Sequence, residues 1–285
     1  LPGLLVGLLI WLTLADPVRE KRGHGLPSRH FISECKQLWH RPGYARVVMA
    51  ACLFTLGAVG SGMWLPSYFI RHHGMQSAEI GLWMAGLYGG GGLLGSLLGG
   101  WVAERSDSDG SGSAYARVGQ WSLLLALPLL PLVLLNESPI PALCFHFGIT
   151  VLMHMNVGPV LTLLQLLGGE HQRALAQAFS VLVSNLVALP LGPLFVGLCS
   201  DHFGPLLGSR VIGLAILALL LVSWSLAACL FGTAARQLES CGRGRAEATA
   251  LPLLSQLQQH RSDAGARRRG GGPARGAGAA AGGPQ

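Results

Sequence analysis

The run from Ile80 to Arg105 constrains the fold more than any other part of the sequence. It carries no charge for 24 residues and then ends abruptly at Glu104–Arg105. An apolar run of this length crosses the ~30 Å hydrocarbon core of a bilayer as a helix. A soluble helix would lose about 1 kcal/mol for each glycine relative to alanine. The many glycines of this run therefore favour a helix packed inside a membrane.

Glycines recur at spacings of about four along this run: Gly86, Gly90, Gly91, Gly95 and Gly99. They leave one helix face almost without side chains, and in lipid such a face lets two backbones approach closely. Residues 90–95 also fit the G-x-G-x-x-G spacing of a dinucleotide-binding turn, but no strand precedes them and no ribose-binding acid follows. We therefore predict helix packing at Gly91, Gly95 and Gly99, and no cofactor.

The composition predicts an all-α, polytopic membrane protein, because the chain is 51% hydrophobic and only 12% charged. A soluble domain carries about twice that charged fraction. Six apolar segments have near-spanning length: Val47–Ile70, Ile80–Ala103, Val118–Leu135, Ile140–Leu167, Leu175–Cys199 and Val211–Phe231. They predict a six-helix transmembrane bundle over residues 46–235, with helix-packing and kink positions at Gly192 and Pro193.

The regions outside the bundle have different compositions. Residues 1–15 are apolar, begin without methionine and lack a charged start, which predicts the end of a transmembrane helix in a fragment rather than a signal peptide. Residues 16–45 are basic and predict a cytoplasmic inter-bundle loop. Residues 236–285 are rich in glycine, alanine and arginine, which predicts a disordered, basic cytoplasmic tail.

The basic residues set the predicted topology. Of the 20 Lys and Arg residues, 17 fall on the side of the 16–45 loop, Arg46 lies at the membrane boundary of that side, and only Arg71 and Arg210 fall on the other. This distribution follows the positive-inside rule and predicts the orientation of a multi-pass protein in a lipid bilayer. The net charge of +7 therefore predicts no nucleic-acid partner. The six cysteines form no C-x-x-C pair and predict neither a disulfide framework nor a metal site.

The end of the glycine-rich run resembles the cytoplasmic loop motif G-x-L-A-D-R-x-G-R of the major facilitator superfamily. The matching residues are Gly100, Ala103 and Arg105, with Glu104 in place of the aspartate. Asp107 and Ser108 stand where the family has Gly-Arg. The resemblance implies that Gly100, Glu104 and Arg105 belong to a cytoplasmic gating contact that forms in one transport state.

Two further blocks resemble the spinster-like members of that family. Residues 173–201, with Gly192–Pro193, resemble their eleventh helix, and residues 63–81 resemble their seventh-to-eighth helix junction. The resemblance covers residues 1 to about 238 and implies helices seven to twelve plus the end of the sixth. It also implies a secondary transporter of the bacterial inner membrane, whose partner is a missing N-terminal six-helix half.

Two groups of side chains are candidates for the wall of a substrate cavity. Ser61, Trp64 and Tyr68 fall within about 60° of helical arc, which is typical either of a cavity lining or of an aromatic belt near the outer surface. The resemblance implies that the seventh and tenth helices line the cavity, which favours the first interpretation for Trp64.

The second group is His146, Thr150 and His154, which lie one helical turn apart. Ionisable groups inside a membrane are costly and usually face an interior or a wet path. The group predicts either a cavity wall or neutral histidines bonded within the bundle. Further ligands for a zinc ion are lacking.

Two classes of function follow. The first is a transporter of a small-molecule substrate, lipophilic or amphipathic; the second is a membrane scaffold or assembly subunit that transports nothing. No Ser/His/Asp set, HExxH motif or paired acids indicate an enzyme.

Overall fold

A computed structural model describes residues 2–13, 28–107, 110–208 and 210–270 of the chain. All regular elements in these ranges are helical: α1 (Pro2–Thr13), α2 (Ser28–Trp39), α3 (Tyr44–His73), α4 (Ser77–Gly86), a π-helix (Leu87–Gly91), α5 (Gly92–Ser106), α6 (Ser113–Ala126), α7 (Leu129–Leu134), α8 (Pro139–Leu207) and α9 (Arg210–Gly270). The chain divides into two units, Leu1–Gln37 and Leu38–Gln285. The first unit holds α1 and most of α2.

Four helical stretches of the described chain are long and apolar enough to cross a membrane: Tyr44–His73, Ser113–Leu134, Pro139–Leu207 and Arg210–Arg243. The third stretch bends at Gly169, where φ is 64°, a conformation that glycine adopts without a steric penalty. We call residues 139–168 its first arm and residues 173–207 its second arm. With the 30-residue run Ser77–Ser106, this architecture confirms the predicted all-α membrane fold.

The glycine-rich run packs directly against the first arm of α8. A Cβ atom added to Gly95 or Gly99 would come well within 3.0 Å of a backbone carbonyl oxygen, that of Val151 or Met155. At Gly91 an added Cβ would lie 3.1 Å from the Thr150 side chain. The absence of side chains on this face therefore sets the distance between the two helices.

A second close crossing joins α3 to the second arm of α8. An added Cβ at Gly192 would lie 2.6 Å from the Leu56 carbonyl oxygen and 3.0 Å from the Gly60 nitrogen. Pro193 follows directly and lacks the N–H that would continue the helical hydrogen-bond pattern. Gly192 thus permits contact between the backbones at the point where Pro193 weakens the helix.

The basic connections meet at one end of the bundle. Arg117 on α6 forms a 2.6 Å ion pair with Glu239 on α9, and Arg41 before α3 reaches the bend of α8. Arg46 on α3 donates a hydrogen bond to the Gln237 side chain on α9. The described connections that the sequence predicts to be cytoplasmic therefore share one end, as the predicted topology requires.

Two regions outside the bundle contain more helix than the sequence predicts. The predicted 16–45 loop contains α2 over Ser28–Trp39, with residues 14–27 outside the described part. Beyond residue 235, where a disordered tail was predicted to start, α9 continues to Gly270. Residues 245–262 are rich in alanine, leucine, glutamine and arginine, which favour helix. Residues 271–285 lie outside the described residues.

Tyr68 on α3 fixes the opposite end of the bundle. Its ring is fully buried, and its hydroxyl donates a 2.9 Å hydrogen bond to the Leu134 carbonyl at the end of α7. We expect Tyr68→Phe to destabilise the protein by about 1–2 kcal/mol, because a buried carbonyl loses its partner. Thermal unfolding in detergent measures this loss as a midpoint lower by a few degrees.

Tyr115→Phe provides the control, since no hydrogen bond to the hydroxyl of half-buried Tyr115 is found among the described residues. An equal loss in both variants would show that the Tyr68 hydroxyl bond contributes nothing specific.

Candidate functional site

His146, Thr150 and His154 form a polar ladder along the first arm of α8. The Thr150 hydroxyl donates to the His146 carbonyl at 2.9 Å, and His154 Nδ1 lies 2.9 Å from the Thr150 carbonyl. A carbonyl only accepts, so His154 Nδ1 carries a proton and its Nε2 remains an acceptor when the ring is neutral. The Thr150 hydroxyl and His154 Nδ1 thus each bond to a carbonyl of their own helix.

His146 differs from its neighbours on the ladder. Only 9% of its surface is exposed, and its Nε2 atom is buried without a hydrogen-bond partner among the described residues. An unpaired buried polar atom costs about 1–3 kcal/mol. An imidazole held in this way marks a point where a further polar group is expected to bind.

Tyr88 lies beside both histidines. Its ring meets the His146 ring edge-on at a centroid distance of 6.1 Å and the His154 ring at 6.3 Å. Tyr88 belongs to the π-helix, and such one-turn insertions in helices occur frequently at functional sites. The sequence-based candidates did not include Tyr88, although it is the one hydroxyl-bearing aromatic in the glycine-rich run.

A small cavity of about 20 Å³ lies beside this group, enough for about one water molecule. Its polar walls come from Ser61 on α3, Tyr88, His146 and Thr150. The remaining walls are apolar and come mostly from α7, α8 and α9. The site therefore joins five elements of the bundle, α3, the π-helix, α7, α8 and α9, around a polar centre.

The aromatic candidates on α3 lie elsewhere. The Trp64 indole donates a 3.1 Å hydrogen bond to the Pro193 carbonyl, so it faces the second arm of α8. Tyr68 is packed between α3 and α7, away from a surface or the small cavity. Of the predicted α3 face, only Ser61 reaches the polar centre.

The loop-motif residues are exposed at the basic end. Glu104 and Arg105 have no ion pair among the described residues, and the Arg105 guanidinium lies 5.7 Å from the centre of the Trp101 ring. A Cβ added to Gly100 would meet nothing within 4 Å. Asp107, which departs from the family motif, accepts a 3.2 Å hydrogen bond from the Gly112 amide and so closes the loop.

Arg41 is a second residue that sequence reasoning missed. Its guanidinium donates to the carbonyls of Leu167 and Gly168 and to the Gln172 side chain, each at 2.8 Å. These carbonyls lose helical partners at the Gly169 bend. The chain separation of more than 120 residues leaves no local signal for this contact.

Comparison with known proteins identifies the family of this chain. A family model described as Major Facilitator Superfamily matches residues 1–189. Since the match covers more than half of the chain, the chain belongs to the major facilitator superfamily, a family of transporters rather than enzymes. With its apolar helices, the chain is an integral, multi-pass membrane protein.

An MFS-type efflux pump of Mycolicibacterium smegmatis (strain ATCC 700084 / mc(2)155) is 28% identical over 195 residues, which are 64% of this chain and 42% of the pump. The fold is similar to two inward-facing crystal structures of a bacterial homologue of the human lysosomal transporter Spinster. The unoccupied structure has a TM-score of 0.60 and the occupied one 0.61, both at 20% identity.

The two alignments with the Spinster homologue cover 84% and 83% of this chain, but only 58% and 56% of the solved chains. The chain thus spans roughly half the length of the proteins it matches. The spinster-like resemblance of the sequence is thus confirmed at the level of the fold.

Proposed function

We propose that this chain forms one bundle of a secondary active transporter that works by alternating access. The observation that carries the proposal is His146, a buried imidazole with an unpaired Nε2 beside a cavity whose walls are mainly apolar. Polar groups in the middle of a membrane bundle are costly and are typically retained for a functional role. A transport site supplies such a role, whereas a scaffold that needs only packing does not.

The geometry favours a division of roles among the candidates. His146, Thr150 and Tyr88 form the polar wall together with Ser61, and His154 extends the ladder beside Tyr88. Trp64 lies against the second arm of α8, outside the small cavity. Tyr68 holds the end of the bundle instead of contacting the solute.

The chemistry of the cavity walls favours a small solute that is lipophilic or amphipathic. The cavity has few polar atoms among mainly apolar walls, and no charged side chain lines it among the described residues. One relative is named an efflux pump and another a homologue of a lysosomal transporter, and neither name specifies a solute for this chain.

A second six-helix bundle completes the proposed transporter, since the matched relatives are roughly twice as long as the aligned part. The two bundles would rock about a site near the midplane of the bilayer. In this movement Glu104 and Arg105, exposed at the basic end, contact the second bundle in one state. Bacterial relatives favour the bacterial inner membrane as its location.

Replacing His146 with alanine in the full-length protein tests the transport role. We expect efflux of a lipophilic dye, with ethidium as the first probe, to fall about tenfold or more, equivalent to about 1.4 kcal/mol or more. Initial rates in membrane vesicles, divided by the amount of protein in the membrane, measure the effect.

His171→Ala is the matched control, because His171 is exposed near the bend of α8 and outside the ladder. If His146→Ala, His154→Ala and His171→Ala all retain the wild-type rate, the ladder has no part in transport. A full-length protein that moves none of a panel of lipophilic dyes in either direction would favour the scaffold function instead.

A further inference from the structure

A large cleft lies at the basic end of the bundle, separate from the polar centre. Its volume is about 830 Å³, and it opens between α5, α6 and α9. The described residues that line it belong to these helices, to the connection before α6 and to the first arm of α8. None of the transport-site candidates named above is among its lining residues.

The part of the cleft away from its charged mouth is apolar and lies on the outer surface of the bundle. Val118, Trp121 and Leu125 line it along α6, with Met155 from α8 at its back. Trp121 is 58% exposed and Leu125 57% exposed, fractions expected for side chains that contact lipid chains. Tryptophan is also enriched where a membrane meets water.

The mouth of the cleft is charged. Arg117 and Arg243 line it together with Glu239, which pairs with Arg117 at 2.6 Å and only loosely with Arg243 at 4.0 Å. Two cations and one anion leave a net charge of +1.

We propose that an anionic phospholipid binds in this cleft as a resident lipid. The phosphate lies between the guanidinium groups of Arg243 and Arg117, and one acyl chain runs along Trp121 and Leu125. Planar guanidinium groups bind phosphate oxygens in paired hydrogen bonds. The net charge of +1 on the lining residues complements a headgroup of charge −1, whereas a headgroup with an added ammonium has no net charge to complement it.

The order of the lining side chains along α6 supports a lipid over a free anion. Arg117 and Trp121 are four residues apart on α6, so the cation and the indole lie on one helix face, with Leu125 one turn further along. Charge, aromatic ring and aliphatic surface then follow in the order of a headgroup, a glycerol backbone and an acyl chain.

Trp121 also supplies the probe for a test. The full-length protein is reconstituted in phosphatidylcholine vesicles that contain increasing fractions of brominated phosphatidylglycerol, brominated phosphatidylethanolamine or brominated phosphatidylcholine. The same titrations are carried out with the Trp121→Phe variant. The difference in fluorescence between wild type and this variant is the signal of Trp121, and its decrease measures quenching at that residue. We expect phosphatidylglycerol to quench Trp121 at mole fractions about fivefold lower than phosphatidylcholine, the factor that one basic side chain near anionic lipid provides.

Two substitutions at the mouth should act in opposite directions. Arg243→Gln removes the net positive charge and is expected to abolish the preference for phosphatidylglycerol. Glu239→Gln frees Arg117 and is expected to raise that preference by about a further fivefold. A purely structural role for these residues would not shift lipid selectivity in opposite directions, and Glu239→Gln still tests the proposal if Arg243→Gln does not fold.

Four results would overturn the assignment. In the wild type, phosphatidylcholine or phosphatidylethanolamine could quench Trp121 as strongly as phosphatidylglycerol does. The preference for phosphatidylglycerol could also be unchanged in both variants, or it could be lost in millimolar inorganic phosphate. The last result would identify a free anion as the ligand. Dye efflux is not used as a readout, so this proposal stands or fails independently of the transport site.

Discussion

Replacing Gly99 with alanine is expected to destabilise the bundle by about 3 kcal/mol, the upper end of the range for overpacking a core. The added Cβ would overlap the Met155 carbonyl oxygen, which is part of a helix backbone and cannot rotate away as a side chain can. The glycine-rich run and the first arm of α8 would have to separate. The unfolding midpoint in detergent should fall by about 10 °C.

The adjacent Gly100 gives a matched control for this prediction. A Cβ added there meets nothing within 4 Å, although the residue lies on the same helix and beside the same connection. Gly100→Ala is expected to leave the midpoint unchanged or slightly higher, because alanine favours helix over glycine. Equal midpoints for the two alanine variants would refute a packing role for the glycine face.

Arg41→Ala is expected to loosen the bend of α8 and to cost about 3 kcal/mol. Two carbonyl oxygens at the end of the first arm lose a charged donor at once, and hydrogen bonds to charged groups contribute about 1.5–3 kcal/mol each. A cation at this position also complements the negative end of the helix dipole. Hydrogen–deuterium exchange should accelerate in peptides that cover residues 166–176.

Arg41→Lys should recover only part of this protection, since one ammonium cannot reproduce the fork of a guanidinium. Arg46→Ala is the control, because Arg46 is nearby and exposed and contacts the exposed Gln237 side chain. If exchange around Gly169 is the same in wild type and Arg41→Ala, the three hydrogen bonds of Arg41 do not stabilise the bend.

The sequence predicted the spans because membrane burial acts on whole segments. A helix surrounded by lipid must be apolar over about 20 residues, so segment length and charge reveal it without any partner. The glycine spacing of the second span likewise indicated which face lacks side chains. The partner of that face, the first arm of α8, lies more than 50 residues further along the chain and is visible only in the structure.

The side chains of α3 show why the candidate site was harder to predict. Ser61, Trp64 and Tyr68 share one helical arc, yet they contact three different neighbours: the polar centre, the second arm of α8 and the end of α7. An arc of about 60° is wide enough to meet several helices in a bundle. Periodicity therefore identifies a buried face but not the neighbour that each residue meets.

The turn of π-helix at Leu87–Gly91 determines where the glycines of this span point. In a regular α-helix each residue advances by about 100°, so a stripe repeated every four residues turns steadily away from its starting direction. Over the span from Ile80 to Gly99 that drift would reach about 100°. The π-helical turn holds about one residue more than an α-helical turn, and this extra residue cancels the drift. As a result Ile80, Met84, Gly95 and Gly99 all remain buried. The π-helical turn thus keeps the buried faces of α4 and α5 on the same side of the span. Inserting or deleting one residue in this turn would rotate one face away from the other.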